Sequence, residues 1–315
     1  MEFSNAIEIL RGAWPTVQPA VSTVFGAVVA SLFLRKNTAK EEIEKLKQSK
    51  FSEVADTLLE QGHITNLEYY KCRNFTKIAR KADKIFCEKK VYDTTQVNLN
   101  EFVDFDWFVR FFEDCGGISN EDMQDIWASI LAGEIIEPGS FSRQTLDVLR
   151  NLSQADAELF EEVSQYVALR EMCPFIYADD SILRKYNGLF SKILHLNSCG
   201  LINSQPVTVD QPMEYGDTKT LFNTKDFVCC LKSIPEPSNA PPFGSIEISV
   251  FSYNRVGKEL LKITTTQPQE VFILDCVTAI NKMYSHSYCV TATLHKVNNS
   301  ELGYDETPIL TGGHR

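Results

Sequence analysis

The strongest constraint on this chain is a run of helix punctuation between Ser119 and Val167. Ser119 with Asp122 makes a capping-box pattern, and Met123, Ile126, Trp127, Ile130 and Leu131 follow at i, i+3, i+4, i+7 and i+8, a single apolar stripe. Gly133 and then Pro138-Gly139 predict the stop. Ser140 or Ser142 caps a second helix with Leu146 and Leu149 as its buried positions. Ser153 with Asp156 caps a third, which would bury Ala157, Phe160 and Val167. Three capped helices with short connections predict a helical bundle.

Similar signals extend the helical part upstream. Ile43, Leu46, Val54 and Leu58 recur at helical spacing and end at Gly62, and Thr65 with Glu68 caps a basic helix through Ile85. Residues 91–103 look like an extended linker. Trp107, Phe108, Phe111 and Phe112 then bury one side of a short helix that Gly116-Gly117 ends.

Beyond residue 171 the pattern changes. FSKILHLNSCGLI is a helix that stops at Gly200 and enters an apolar strand, and a polar segment runs from Asn203 to about Thr220. GSIEISVFSYN alternates as a half-buried strand does, RVGKELLKI is a short helix, and YCVTATLHKV is a closing strand. The order of helix, Cys-Gly-Leu-Ile, β-ribbon and Gly-Lys-Glu-Leu-Leu helix resembles that of a winged-helix module. The tail after Asn298 is expected to be poorly ordered.

From Gly12 to Leu34 there is no charged residue, and Arg35-Lys36 close the run. Its convincing apolar core, residues 20–34, is shorter than the roughly 20 residues a helix needs to cross a bilayer, although Trp14 to Pro19 would supply that length. The charges follow the run rather than lead it, which argues against a secretion signal. Ser22, Gly26 and Ala30 form a row of small residues suited to close helix packing. Two fates stay open, a membrane contact through residues 14–34 or the core of a homo-oligomer. In the first case Arg35 and Lys36 place the rest of the chain on the cytoplasmic side of an inner membrane.

Composition narrows the function classes. With 42 Asp+Glu against 31 Lys+Arg the 315-residue chain carries a formal charge of -11, the wrong sign for a protein that lives on phosphate contacts. Nine scattered cysteines without a CxxC pair point to a reducing compartment, most simply a cytoplasm. No Gly-rich phosphate loop, GxSxG elbow, HExxH or EF-hand pattern is present.

The stretch WASILAGEI (Trp127–Ile135), PGSFS (Pro138–Ser142), TLDVLRNLS (Thr145–Ser153) and DAELF (Asp156–Phe160) resembles an uncharacterised bacterial family, a domain of unknown function with a W-x-x-[IL]-L-A-G-E-[IV]-x-x-P-G-S-F-S core. Flanking elements of the same resemblance are Asp104 to Phe112, Gly200 to Ile202 and Gly257 to Leu260, so that it covers about residues 37–297. Trp127 to Ala132 and Leu152 to Ala157 are more weakly similar to the abortive-infection alpha family of phage-defence proteins. Neither family supplies catalytic residues. What the second implies is a role in phage defence.

Within the central motif the candidate functional residues are Trp127, Gly133, Glu134 and Arg143. Glu134 is the one charged residue inside WASILAGEI. It would serve as an acid only with a partner; structurally, it would accept hydrogen bonds from the turn or the next helix start, or pair with Arg143. His195 and Cys199, four apart on a helix, have the spacing of a nucleophile and its base, although a core cysteine beside a helix-end histidine fits the apolar neighbours better. His286, Cys289 and Cys229-Cys230 do not pair up as zinc ligands. No catalytic residue, cofactor or metal is therefore assigned.

The expected architecture is mainly α with a C-terminal α+β part. It comprises an apolar helix at 1–36, a helical region at 37–90, a bundle carrying the central motif at 91–170, a winged-helix-like domain at 171–297 and a tail at 298–315. The expected function is a non-enzymatic, homo-oligomeric anti-phage defence component, an abortive-infection-like effector or sensor that takes a protein partner from a defence system. The alternative is a DNA-binding regulator using the winged module, although its groove helix offers only Lys192 and His195 and nucleic acid is the less favoured partner.

Overall fold

Helix caps fix where the first elements of the computed structural model begin. It describes residues 56, 59–62, 65–92, 103–233, 244–266, 268–284, 290–298 and 303–311. Ser22, Gly26 and Ala30 lie outside the described residues, and among those described no helix is long and apolar enough to cross a membrane. The chain divides into two units, Met1–Asn151 and Leu152–Arg315, so the expected 91–170 segment runs across the division.

In the first unit, α1 (Asn66–Tyr92) starts at the expected box: Glu68 accepts from the Thr65 N–H at 2.7 Å, and Thr65 Oγ1 from the Glu68 N–H at 3.2 Å. Phe75, Ile78, Ala79, Ala82 and Phe86 make its buried stripe. Asp104 caps α2 (Phe105–Cys115) by accepting from Trp107 N–H at 2.8 Å. α3 (Glu121–Ile136) is buried around most of its circumference, including Gln124, Ala128, Ala132 and Glu134 beside the expected stripe. A helix buried on so many sides is the axis of its unit, and α1 packs along it. α4 (Arg143–Asn151) packs against α2. The buried Asp114 of α2 meets Arg110 at 2.9 Å and Arg150 of α4 at 3.1 Å.

In the second unit, the Ser153–Asp156 capping box opens α5 (Gln154–Ser164) as expected. Among the described residues eight strands follow: β1 (Ala168–Arg170), β2 (Cys173–Tyr177), β3 (Val207–Pro212), β4 (Thr218–Asn223), β5 (Phe227–Ser233), β6 (Ser245–Ser252), β7 (Val290–Lys296) and β8 (Leu310–Thr311). They form one antiparallel sheet in the order β3-β6-β2-β1-β4-β5-β7-β8. Between them lie α6 (Asp180–Lys185), α7 (Leu189–Ser198), α8 (Arg255–Leu261) and α9 (Glu270–Tyr284). α9 buries Phe272, Ile273, Cys276, Val277 and Ile280 and packs against β7.

This sheet overturns the expected fold of a helical bundle followed by a winged-helix module. The expected helices and strands at 189–198, 245–252, 255–261 and 290–296 exist, but their partners are distant in sequence. Tyr177 of β2 pairs with Val250 of β6, and Phe227 of β5 with Lys296 of β7. Alternation in a sequence marks a strand and leaves its neighbour unspecified. The polar segment from Asn203 to about Thr220, given no element in the sequence reading, is part of the sheet. It contains β3, an edge strand whose side chains are mostly exposed, and the start of β4. Nor is all of the tail loose: Ile309 N–H donates to Leu294 O, Asp305 N–H to Lys296 O, and Leu310 and Thr311 pair with β7.

Candidate functional site

Each residue of the central motif has a structural task. Trp127 has no exposed surface and meets Phe111 edge-on at 5.3 Å, while Phe111 stacks on Trp107. Gly133 does not end α3, which runs three residues further. Its missing side chain is what the Phe141 ring needs, because a Cβ there would stand 2.6 Å from Phe141 Cε2. Glu134 is 1% exposed and folds back on the turn, accepting from the Gly139 N–H at 2.6 Å and the Phe141 N–H at 2.9 Å. Gly139 takes a φ of +86°, which only glycine adopts without cost. The motif is thus a hairpin that caps itself with its own buried carboxylate.

Arg143 takes no part in that cap. Its guanidinium reaches Asp104 at 2.9 Å and Asp106 at 3.2 Å, at the start of α2, instead of pairing with Glu134. Hydrogen bonding from Trp107 N–H and then Arg143 holds the Asp104 carboxyl below its usual range. The structure therefore places Trp127, Gly133 and Glu134 in or beside the core and Arg143 at an exposed helix start. It does not bring the four together around a ligand.

A different cluster forms in the second unit. α7 packs against α5, and His195, Cys199 and Asp156 meet with one donor atom from each all within 4.8 Å of one another. His195 Nε2 lies 2.6 Å from Asp156 Oδ1, while Asp156 Oδ2 accepts from Ser153 N–H at 2.9 Å and from Ser153 Oγ at 2.7 Å. The hydrogen bond to His195, and then those from Ser153, hold the Asp156 carboxyl down at about 2. Burial and then the Asp156 charge push the Cys199 thiol up.

This geometry does not support His195 as the base of a Cys199 nucleophile. His195 turns its Nε2 to the Asp156 carboxylate, and a thiol with a raised pKa stays protonated instead of attacking as thiolate. Sequence reasoning found two of the three residues from their i, i+4 spacing. It missed Asp156 in this role because the capping box already accounted for it. What the three can do together is donate oxygen, nitrogen and sulfur to one point.

Comparison with known proteins adds a single finding. No curated protein and no solved structure matches the chain. A family model described as protein of unknown function (DUF2806) matches residues 40–173, which include α1 to α4, the self-capped hairpin and α5. The resemblance carried by the central motif to an uncharacterised domain family is thereby shown over residues 40–173, where the chain is similar to that family.

Proposed function

We propose that the chain is a non-enzymatic component of bacterial anti-phage defence, an abortive-infection-like effector or sensor that acts by binding. The observation that supports a binding role is Glu134. The one charged residue of the WASILAGEI stretch is buried, with each oxygen accepting from a backbone N–H of its own turn, so this acid is devoted to folding. The defence setting draws its support from the likeness of Trp127–Ala132 and Leu152–Ala157 to the abortive-infection alpha family. Assembly as a homo-oligomer, at the inner membrane or in a cytoplasmic core, would use the apolar run with its Ser22-Gly26-Ala30 row.

Plaque counts during phage challenge test the proposal. Cells expressing the full chain should show fewer plaques than empty-vector cells, and removal of residues 1–36 should restore the count. Equal counts in all three would overturn the defence role. Membrane fractionation followed by light scattering separates the two assembly routes, and a soluble, monodisperse monomer would overturn both. The DNA-binding alternative loses its premise with the winged module, and the two basic side chains of α7 are engaged, Lys192 by Glu162 and His195 by Asp156.

A further inference from the structure

We propose that Asp156, His195 and Cys199 form a binding site for a divalent transition-metal ion of the zinc type, independent of any role in defence. The donor set carries the argument first. A carboxylate oxygen, an imidazole nitrogen and a thiolate sulfur are the three donor types that zinc accepts, and the combination of thiolate with imidazole disfavours magnesium and calcium. Among the described residues no other group of three such donors converges.

Spacing agrees with the chemistry. His195 and Cys199 are i and i+4 at the end of α7 and so lie on one face, and Asp156 approaches from the first turn of α5. Bonds of zinc length in a tetrahedral arrangement put neighbouring donors about 3.4 Å apart. The three atoms lie within 4.8 Å of one another, and the closest pair, at 2.6 Å, is a hydrogen bond that an ion would replace. Small side-chain rotations satisfy the ion without moving either helix.

The site also has an orienting partner. Ser153 donates twice to Asp156 Oδ2, fixing the carboxylate so that Oδ1 faces the imidazole. Such outer hydrogen bonds commonly position metal-ligating carboxylates. Charge balances as well: on binding, the Cys199 thiol releases its proton to solvent, and one carboxylate plus one thiolate neutralise a divalent ion. Behind the donors the scaffold is packed, with Phe160 and Val163 of α5 and Ile193 and Leu196 of α7 all buried. Three protein donors leave a further position for water or another ligand.

Titration of the full-length chain with cobalt(II), read by absorbance, tests the site. The expected result is saturable uptake of a single equivalent with a thiolate-to-cobalt charge-transfer band, which zinc(II) then displaces. Cys199→Ser should abolish that band, while Cys173→Ser, at an exposed cysteine that begins β2, should keep it. Ser153→Ala should weaken binding about tenfold through loss of the hydroxyl's orienting hydrogen bond, the backbone one remaining. Circular dichroism checks that each variant is folded; should Cys199→Ser fail to fold, His195→Gln, at a half-exposed position, is read in its place and should lose saturable uptake. Absence of saturable uptake by the unaltered chain, or undiminished binding by a folded ligand variant, would overturn the proposal.

Discussion

The two units differ in how far along the chain their backbone groups find partners. In the first unit the backbone pairs within the turns of α1 to α4, and Glu134 closes the turn after α3 by accepting from N–H groups five and seven residues further along the chain. In the second, Tyr177 of β2 pairs with Val250 of β6 and Phe227 of β5 with Lys296 of β7, so that the sheet joins strands from opposite ends of the unit. Order in the first unit therefore grows outward from turns and caps. The second gains its order only when remote segments have met, which makes it the slower to form.

A core truncation should break this contrast most visibly. Trp127→Ala removes the ring that meets Phe111 and should cost about 3–5 kcal/mol in chemical denaturation. Hydrogen exchange should show lost protection at residues 65–151 and retained protection at 152–311; equal loss in both would make the two units one cooperative body. Two glycine substitutions sharpen the comparison, each at about 1–3 kcal/mol. Gly257→Ala drives a Cβ to 2.1 Å from Leu201 O, a backbone atom, whereas Gly133→Ala meets the edge of the Phe141 ring. Shortening that ring by Phe141→Leu should recover part of the Gly133→Ala loss, and no recovery would mean that the ring is not what requires glycine.

Glu134→Gln turns one accepting oxygen into a donor against the turn's N–H groups and should lower stability by about 1–3 kcal/mol, read as a shift in the urea midpoint. An unchanged midpoint would remove the self-cap from the account of the hairpin. The smallest effect concerns acid. The Asp156 carboxyl titrates at about 2 in the folded chain against 3.8 ordinarily, so its stabilisation is complete above the unfolded value and fades as pH falls from about 4 towards 2. Asp156→Asn should flatten that part of the acid limb, and an unaltered limb would show that the contacts with His195 and Ser153 contribute little.

How far these features could be read from the residues follows the same division by distance. The Thr65–Glu68 and Ser153–Asp156 boxes were legible because both partners sit within one turn. The cap of α3 lies one residue from its expected place: Asn120, not Ser119, accepts from the Met123 N–H. Gly133 carries the composition of a stop, yet its cause is an aromatic ring eight residues later, which no local rule contains. The β1–β2 hairpin gave no signal at all, since its left-handed positions are Glu171 and Met172 rather than the Asn and Gly that mark such turns. At the candidate site, two donors were visible as a helical pair and the third was concealed by its own cap.

The segment at 303–311 has a consequence for life at high concentration. A sheet ends in unpaired N–H and C=O groups, and an open border of this kind is a template onto which another chain can add a strand. On one side β3 is a poor template, with Asp210 and Pro212 along it. On the other, β7 is seven residues long and rich in β-branched and apolar side chains, and the short β8 with the turn before it covers that border. A chain cut after Asn298 would offer β7 to its neighbours, and the expected outcome is aggregation that steepens with concentration and begins from the folded state.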